Sequence, residues 1–204
     1  MSNNTLLITL AKPNREQTET FHGYVGASTE LAIAAGAEVS SRFGVRPLLG
    51  DAPADVFGLA TFPSSEAITT MFDSPAYQEL VPAREQGIDC VNAYVVDDTP
   101  ITELADPDGA YLVVVAAPNP EAADDLKSYQ AGAGPVFAKH GGRPTAQLPV
   151  TARPVGNTPA AFVSVIEFPS AEAAEAVFDD PDYQSLVDAR DRGLASLNVY
   201  VTTS

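Results

Sequence analysis

Short apolar runs and helical spacings alternate along this chain in an order that occurs twice. The run from Leu6 to Ala11, LLITLA, is apolar and partly β-branched and stops at Lys12-Pro13-Asn14, which predicts a buried strand; Tyr111 to Ala117, YLVVVAA, repeats it before Pro118-Asn119-Pro120. Asn119 suits an N-cap, Pro120 the first helical position and Glu121 the positive helix end, so a helix is predicted to start there. It runs through Leu126, Tyr129, Ala133, Val136 and Phe137, weakened or bent by Gly132, Gly134 and Pro135, to a stop at Gly141-Gly142. In the first copy, Phe21, Tyr24, Leu31 and Ile33 lead to the stop at Gly36. Arg42 to Leu49 and Arg143 to Val155 alternate and are broken by proline, which predicts edge strands. Short glycine-containing turns then lead into VFGLATF and AFVSVIEF, each predicted to pair as an antiparallel hairpin with the strand before it. Ser64 and Ser170 can cap a second helix; Pro75 and Pro181 interrupt and restart it; Gly87 and Gly193 end it before the last strands, VNAYVV and LNVYVT.

Phe62 to Val96 and Phe168 to Thr202 align without a gap and agree at about half their positions, so the chain is two copies of one unit. Each reads β-α-β-β-α-β, a ferredoxin-like repeat. The copies span 1–98 and 111–204, and 99–110, rich in Pro, Gly and Asp, reads as a linker. Leu112 and Val114 alternate with Val113 and Val115, so both faces of that strand are hydrophobic and need cover. The expected fold class is therefore α+β: two ferredoxin-like repeats packed sheet to sheet as an intramolecular pseudo-dimeric α+β barrel.

Composition narrows the function classes. A formal charge of −16 over 204 residues repels phosphate backbones and anionic lipid, which argues against nucleic-acid and membrane partners. No basic, long apolar leader opens the chain, and the single cysteine, Cys90, leaves no disulfide framework; both suit a cytoplasmic protein. Two histidines far apart and one cysteine make no metal-ligand cluster, and no glycine-rich phosphate loop follows a strand, so neither metal nor cofactor is expected. The abundance of Ala, Pro and Asp resembles the usage of a high-GC bacterium.

The second copy carries a further pattern: Asn119-Pro120-Glu121 after a strand, Tyr129 in a helix, His140-Gly141-Gly142-Arg143, Glu167-Phe168-Pro169-Ser170, and Pro181 with Tyr183. This resembles the domain-of-unknown-function family 1330, whose members look like the dimeric α+β barrel superfamily. The resemblance implies that two units pair, here by fusion, with further homodimerisation open. The superfamily includes cofactor-free monooxygenases, isomerases, polyketide-type cyclases and haem proteins, so fold resemblance selects no reaction. In the first copy Ala35 stands opposite His140, Glu38 opposite Arg143 and Thr61 opposite Glu167. That copy has lost the family's polar set and reads as scaffold or pocket wall.

The topology places His140 and Glu167 at one end of the sheet, where an imidazole and a carboxylate can form a proton-transfer pair. The leading expectation is a cofactor-independent enzyme acting on a small organic substrate by proton transfer, of isomerase, cyclase or lyase type. In it His140 is acid or base, Glu167 its orienter and Tyr129 a hydrogen-bond donor, with Arg143, Tyr183 and Tyr111 binding substrate. The bland counterpart sets His140 at the negative end of its helix and pairs Glu167 with Arg143 at the rim. A cofactor-free monooxygenase and a non-catalytic ligand-binding or scaffold protein remain open. His22, opposite Lys127, reads as an exposed helix residue, and Arg84 and Arg190 as surface partners of nearby acids.

Overall fold

The computed structural model describes residues 5–97 and 110–203. The first copy comprises β1 (Thr5–Pro13), α1 (Thr18–Ala34), β2 (Glu38–Leu49), β3 (Val56–Phe62), three short helices α2 (Ser65–Asp73), α3 (Pro75–Gln78) and α4 (Val81–Gly87), and β4 (Ile88–Asp97). The second repeats this order: β5 (Ala110–Pro118), α5 (Ala123–Lys139), β6 (Arg143–Val155), β7 (Phe162–Phe168), α6 (Ala171–Asp179), α7 (Pro181–Gln184), α8 (Val187–Gly193) and β8 (Leu194–Thr203). The linker expected over 99–110 lies outside the described residues except for Ala110, with which β5 opens.

The element ends follow from local chemistry. Asn14 and Asn119 accept the backbone N–H of Glu16 and Glu121, but each caps a single 3-10 turn, so the α-helix proper begins at Thr18 in the first copy and, in the second, at Ala123 rather than at the predicted Pro120. Helix α5 runs through Pro135 to Lys139 without a break. Ser64 and Ser170 cap α2 and α6, and Ser74 and Asp180 cap α3 and α7, with Pro75 and Pro181 in the first turn.

The strand pairs whose register is set by described residues are antiparallel, and the hydrogen-bonded order β1-β3-β2-β8-β5-β7-β6-β4 closes through β4 onto β1 as an eight-stranded barrel. The expectation that β2 and β6 are edge strands is corrected here. Each is long enough to change partners along its length: β6 pairs with β7 up to Pro149 opposite Phe162, then with β4 from Val150 opposite Val96. In β6, Pro149, lacking an N–H for the ladder, sits where the partner changes.

Contacts divide the described residues into two units, one of 5–44, 53–97 and 150–157, the other of 45–52, 110–149 and 158–203. The first packs Leu7, Phe62, Ile68, Met71 and Val95 against Ala32 of α1. The second packs Leu112, Val136, Ile166, Phe168, Val177 and Val201. In both, a glycine lets a short helix lie directly on a long one. A Cβ on Gly193 would come 2.6 Å from the backbone nitrogen of Leu126, and one on Gly87 2.8 Å from that of Phe21. Asn198 and Tyr200 are structural: Asn198 Oδ1 accepts the Ala52 N–H at 2.9 Å and Tyr200 Oη donates to the Ala52 carbonyl at 2.7 Å.

Candidate functional site

The first unit contains a cavity of about 450 Å³ between α1 and its sheet. Strand alternation explains its floor. Leu7, Thr9 and Ala11 of β1 project to the same face, and β3 sets Ala60, Gly58 and Val56 opposite them. Helix α1 supplies the roof through Phe21, Tyr24, Val25, Ser28 and Ala32, with Met71, Phe72 and Tyr77 closing one side.

The second copy answers why the space is open. By the same register, Gly58 opposite Thr9 becomes Ser164 opposite Val114, and Ala60 opposite Leu7 becomes Ile166 opposite Leu112. On the helix, Ala32 becomes Phe137, whose ring packs against Phe168 and Tyr183 with centroids 6.4 and 6.3 Å apart. Trimming three core positions to alanine or glycine leaves the first copy a hollow where the second has packed side chains.

Polar groups on the cavity wall fall into two kinds. Ser28 Oγ and Thr29 Oγ1 already donate to the Val25 carbonyl, at 3.2 and 2.7 Å. The Tyr24 and Tyr77 hydroxyls lie 3.0 Å apart, and Arg84, with its side chain only 16% exposed, donates to Tyr77 Oη at 3.3 Å. Burial, and next the neighbouring Tyr77, push the Tyr24 phenol well above its ordinary value, so it stays protonated at neutral pH. By contrast, Thr9 and His22 have no hydrogen-bond partner among the described residues and are left to whatever enters the cavity. His22 is solvent-exposed, as its sequence position suggested, but it also lines this cavity, which sequence reading missed.

The residues singled out in the second copy are brought near one another but bonded differently from the expectation. Glu167 faces Arg143 across the β6–β7 ladder and pairs with it at 3.0 Å, with the guanidinium 75% exposed. His140 bonds Asp180 rather than the expected Glu167, a correction: Nε2 lies 2.7 Å from Asp180 Oδ2, whose side chain is 4% exposed and also takes Lys139 at 2.9 Å. The physical reason is helical. Lys139 and His140 end α5, where cations are favoured, and Asp180 caps α7, so one carboxylate ties two helix ends together. Hydrogen bonds from Lys139 and then His140 hold the Asp180 carboxyl well below the usual carboxylate range.

Tyr129 and Tyr183 hydroxyls are 3.4 Å apart and Arg190 donates to Tyr183 at 3.2 Å, the same relay as in the first copy. Both arginines pair with an acidic neighbour as expected, Arg84 with Glu85 at 3.8 Å and Arg190 with Asp191 at 2.8 Å, but their side chains are half-buried and also reach a tyrosine hydroxyl. Tyr111 is 2% exposed within β5, opposite Glu167. Among the described residues no three His, Cys, Asp or Glu side chains come together as a metal site, and no helix is long and apolar enough to cross a membrane.

The family described as Domain of unknown function (DUF1330) matches residues 9–99 and again 109–203. An anthrone oxidase-like protein is similar in structure, with a TM-score of 0.61 and 15% identity over 100% of this chain and 92% of its own. A chlorite dismutase variant from Candidatus Nitrospira defluvii is similar at a TM-score of 0.52 and 11% identity, over 98% of this chain and 91% of its own. At such identities the likeness establishes the fold alone. No curated protein matches the chain.

Proposed function

The chain belongs to the DUF1330 family twice over, and from that premise we propose that it is a cofactor-independent enzyme whose proton-transfer chemistry, of isomerase, cyclase or lyase type, takes place in the first copy. The fused copies then serve as the intramolecular counterpart of a two-chain α+β barrel. The observation that carries the reading is the contrast between copies: the first lines a cavity with Ala32, Gly58 and Ala60, and the second carries Phe137, Ser164 and Ile166 at the same positions, with Phe137 and Ile166 packed in its core. A cavity of this size, walled mainly by apolar groups with a few polar ones, suits a small organic molecule. His22 is the proton-transfer group, because an imidazole can give or take a proton at either ring nitrogen and this one is uncommitted on the cavity wall. Tyr24, kept protonated by burial, is a donor and not a base.

A second reading keeps the chemistry at His140 in the second copy, with Asp180 as orienter and Glu167, Arg143, Tyr129, Tyr183 and Tyr111 around the substrate. It is favoured by the 2.7 Å bond that fixes the imidazole against a buried carboxylate.

One experiment separates the readings without a known substrate. Cyclic ketones are incubated with the protein in D2O, and exchange of their α-protons is followed by NMR. The first reading expects exchange that His22→Gln abolishes and His140→Gln leaves intact. The reverse pattern assigns the chemistry to the second copy, and binding without exchange in the parent protein makes this a non-catalytic binding protein.

A further inference from the structure

Thr9 is an anomaly in its strand. Its neighbours in β1 are Ile8 and Leu10, 0% and 1% exposed, and the equivalent residue in the second copy is Val114, the same shape without the hydroxyl. Opposite Thr9 stands Gly58, where a Cβ would meet nothing closer than Thr9 Cβ at 4.0 Å. The hydroxyl therefore stands in open space on the cavity floor, and among the described residues nothing in the protein bonds to it. Thr9 is half-buried, so water reaches its hydroxyl in the empty cavity, and a ligand that displaces that water must replace its hydrogen bond.

We propose that Thr9 is the residue that recognises the ligand's oxygen, and that the ligand class is an uncharged cyclic ketone with an apolar ring body. The proposal rests on the cavity reading above and adds the ligand to it. The ring body follows from the walls, which are aliphatic and aromatic apart from the hydroxyls and His22. The acceptor oxygen follows from Thr9, whose O–H is free to donate. Neutrality follows because the described lining residues include no Lys, Arg, Asp or Glu, so a carboxylate or ammonium group would be buried unpaired. Gly58 leaves the carbonyl room to approach the floor, which Ser164 and Val114 deny it in the second copy.

The test is calorimetric binding of three probes of matched size: 1-tetralone, its parent hydrocarbon tetralin, and 1-naphthoate. The expected order is tetralone over tetralin, with naphthoate weakest. Thr9→Val, which copies the second copy's residue and so preserves the strand, lowers tetralone affinity by about 3–10-fold, the worth of one neutral hydrogen bond, and leaves tetralin unchanged. Ala32→Phe, which copies Phe137, abolishes binding of every probe.

Four results overturn the proposal. Naphthoate binding as tightly as tetralone ends the neutral-ketone class, and Thr9→Val without effect ends the role of Thr9; the cavity survives both. Binding of no probe, or binding unaffected by Ala32→Phe, overturns the cavity itself and with it the functional reading.

Discussion

If the first copy is hollow where the second is filled, moving one second-copy residue into it should stabilise the protein and remove ligand binding together. Ala60→Ile is the sharpest form, because Ala60 and Ile166 hold the same register position, opposite Leu7 and Leu112. Isoleucine adds three carbons. At about 0.8 kcal/mol per buried CH2 they contribute about 2.4 kcal/mol. Fixing the longer side chain costs about 0.5–1 kcal/mol, leaving a net gain of roughly 1.5–2 kcal/mol. For a chain of this length the gain raises the thermal midpoint by roughly 3–8 °C. Differential scanning calorimetry of the variant and its parent measures the shift. The mirror variant Ile166→Ala removes packing from a filled site and should lose about 2–5 kcal/mol. A fall of about 1–3 kcal/mol for Ala60→Ile, the mark of overpacking, would refute the reasoning, because it would show that no usable space lies above Ala60.

Gly193→Ala should lower stability by about 1–3 kcal/mol, since its Cβ would meet the Leu126 backbone rather than a movable side chain; an unchanged urea midpoint would contradict the close helix approach. The depressed Asp180 carboxyl stabilises the fold above the ordinary carboxylate pKa of about 4, and that contribution drains away as pH falls through the lower folded value. Urea midpoints from pH 5 to pH 2 should therefore fall more steeply for the parent than for Asp180→Asn, and parallel curves would remove the clamp. Burial keeps Tyr24 and Tyr129 protonated, so an alkaline absorbance titration should ionise at most five of the seven tyrosines before the protein unfolds. Seven titrating in the folded state would contradict the buried tyrosine pairs.

The repeat made most of the architecture legible, because residues with demanding backbone roles are kept in both copies: Ser64 and Ser170 as caps, Pro75 and Pro181 at helix starts, Gly87 and Gly193 where helices touch. The pairing of β2 and β6 was not legible. Proline in a strand signals an edge when one ladder is considered, and here it marks the point where a strand passes from one ladder to another.

The candidate site was legible only in part. Polar residues present in one copy and missing from the other mark His140, but its bond to Asp180, a partner 40 residues on, is revealed by no local motif. The informative difference was volume. Ala32 against Phe137, Gly58 against Ser164 and Ala60 against Ile166 are visible once the copies are aligned, but only the strand register and the helix above it show that all three empty the same space.

The most direct test of the central claim is a crystal of the protein under xenon pressure, since xenon enters dry apolar cavities and scatters strongly. The gas should bind beneath α1, beside Ala32, Gly58 and Ala60, with nothing at the matching place beneath α5. Xenon beneath α5 beside Phe137 and Ile166, or none beneath α1, would contradict the account.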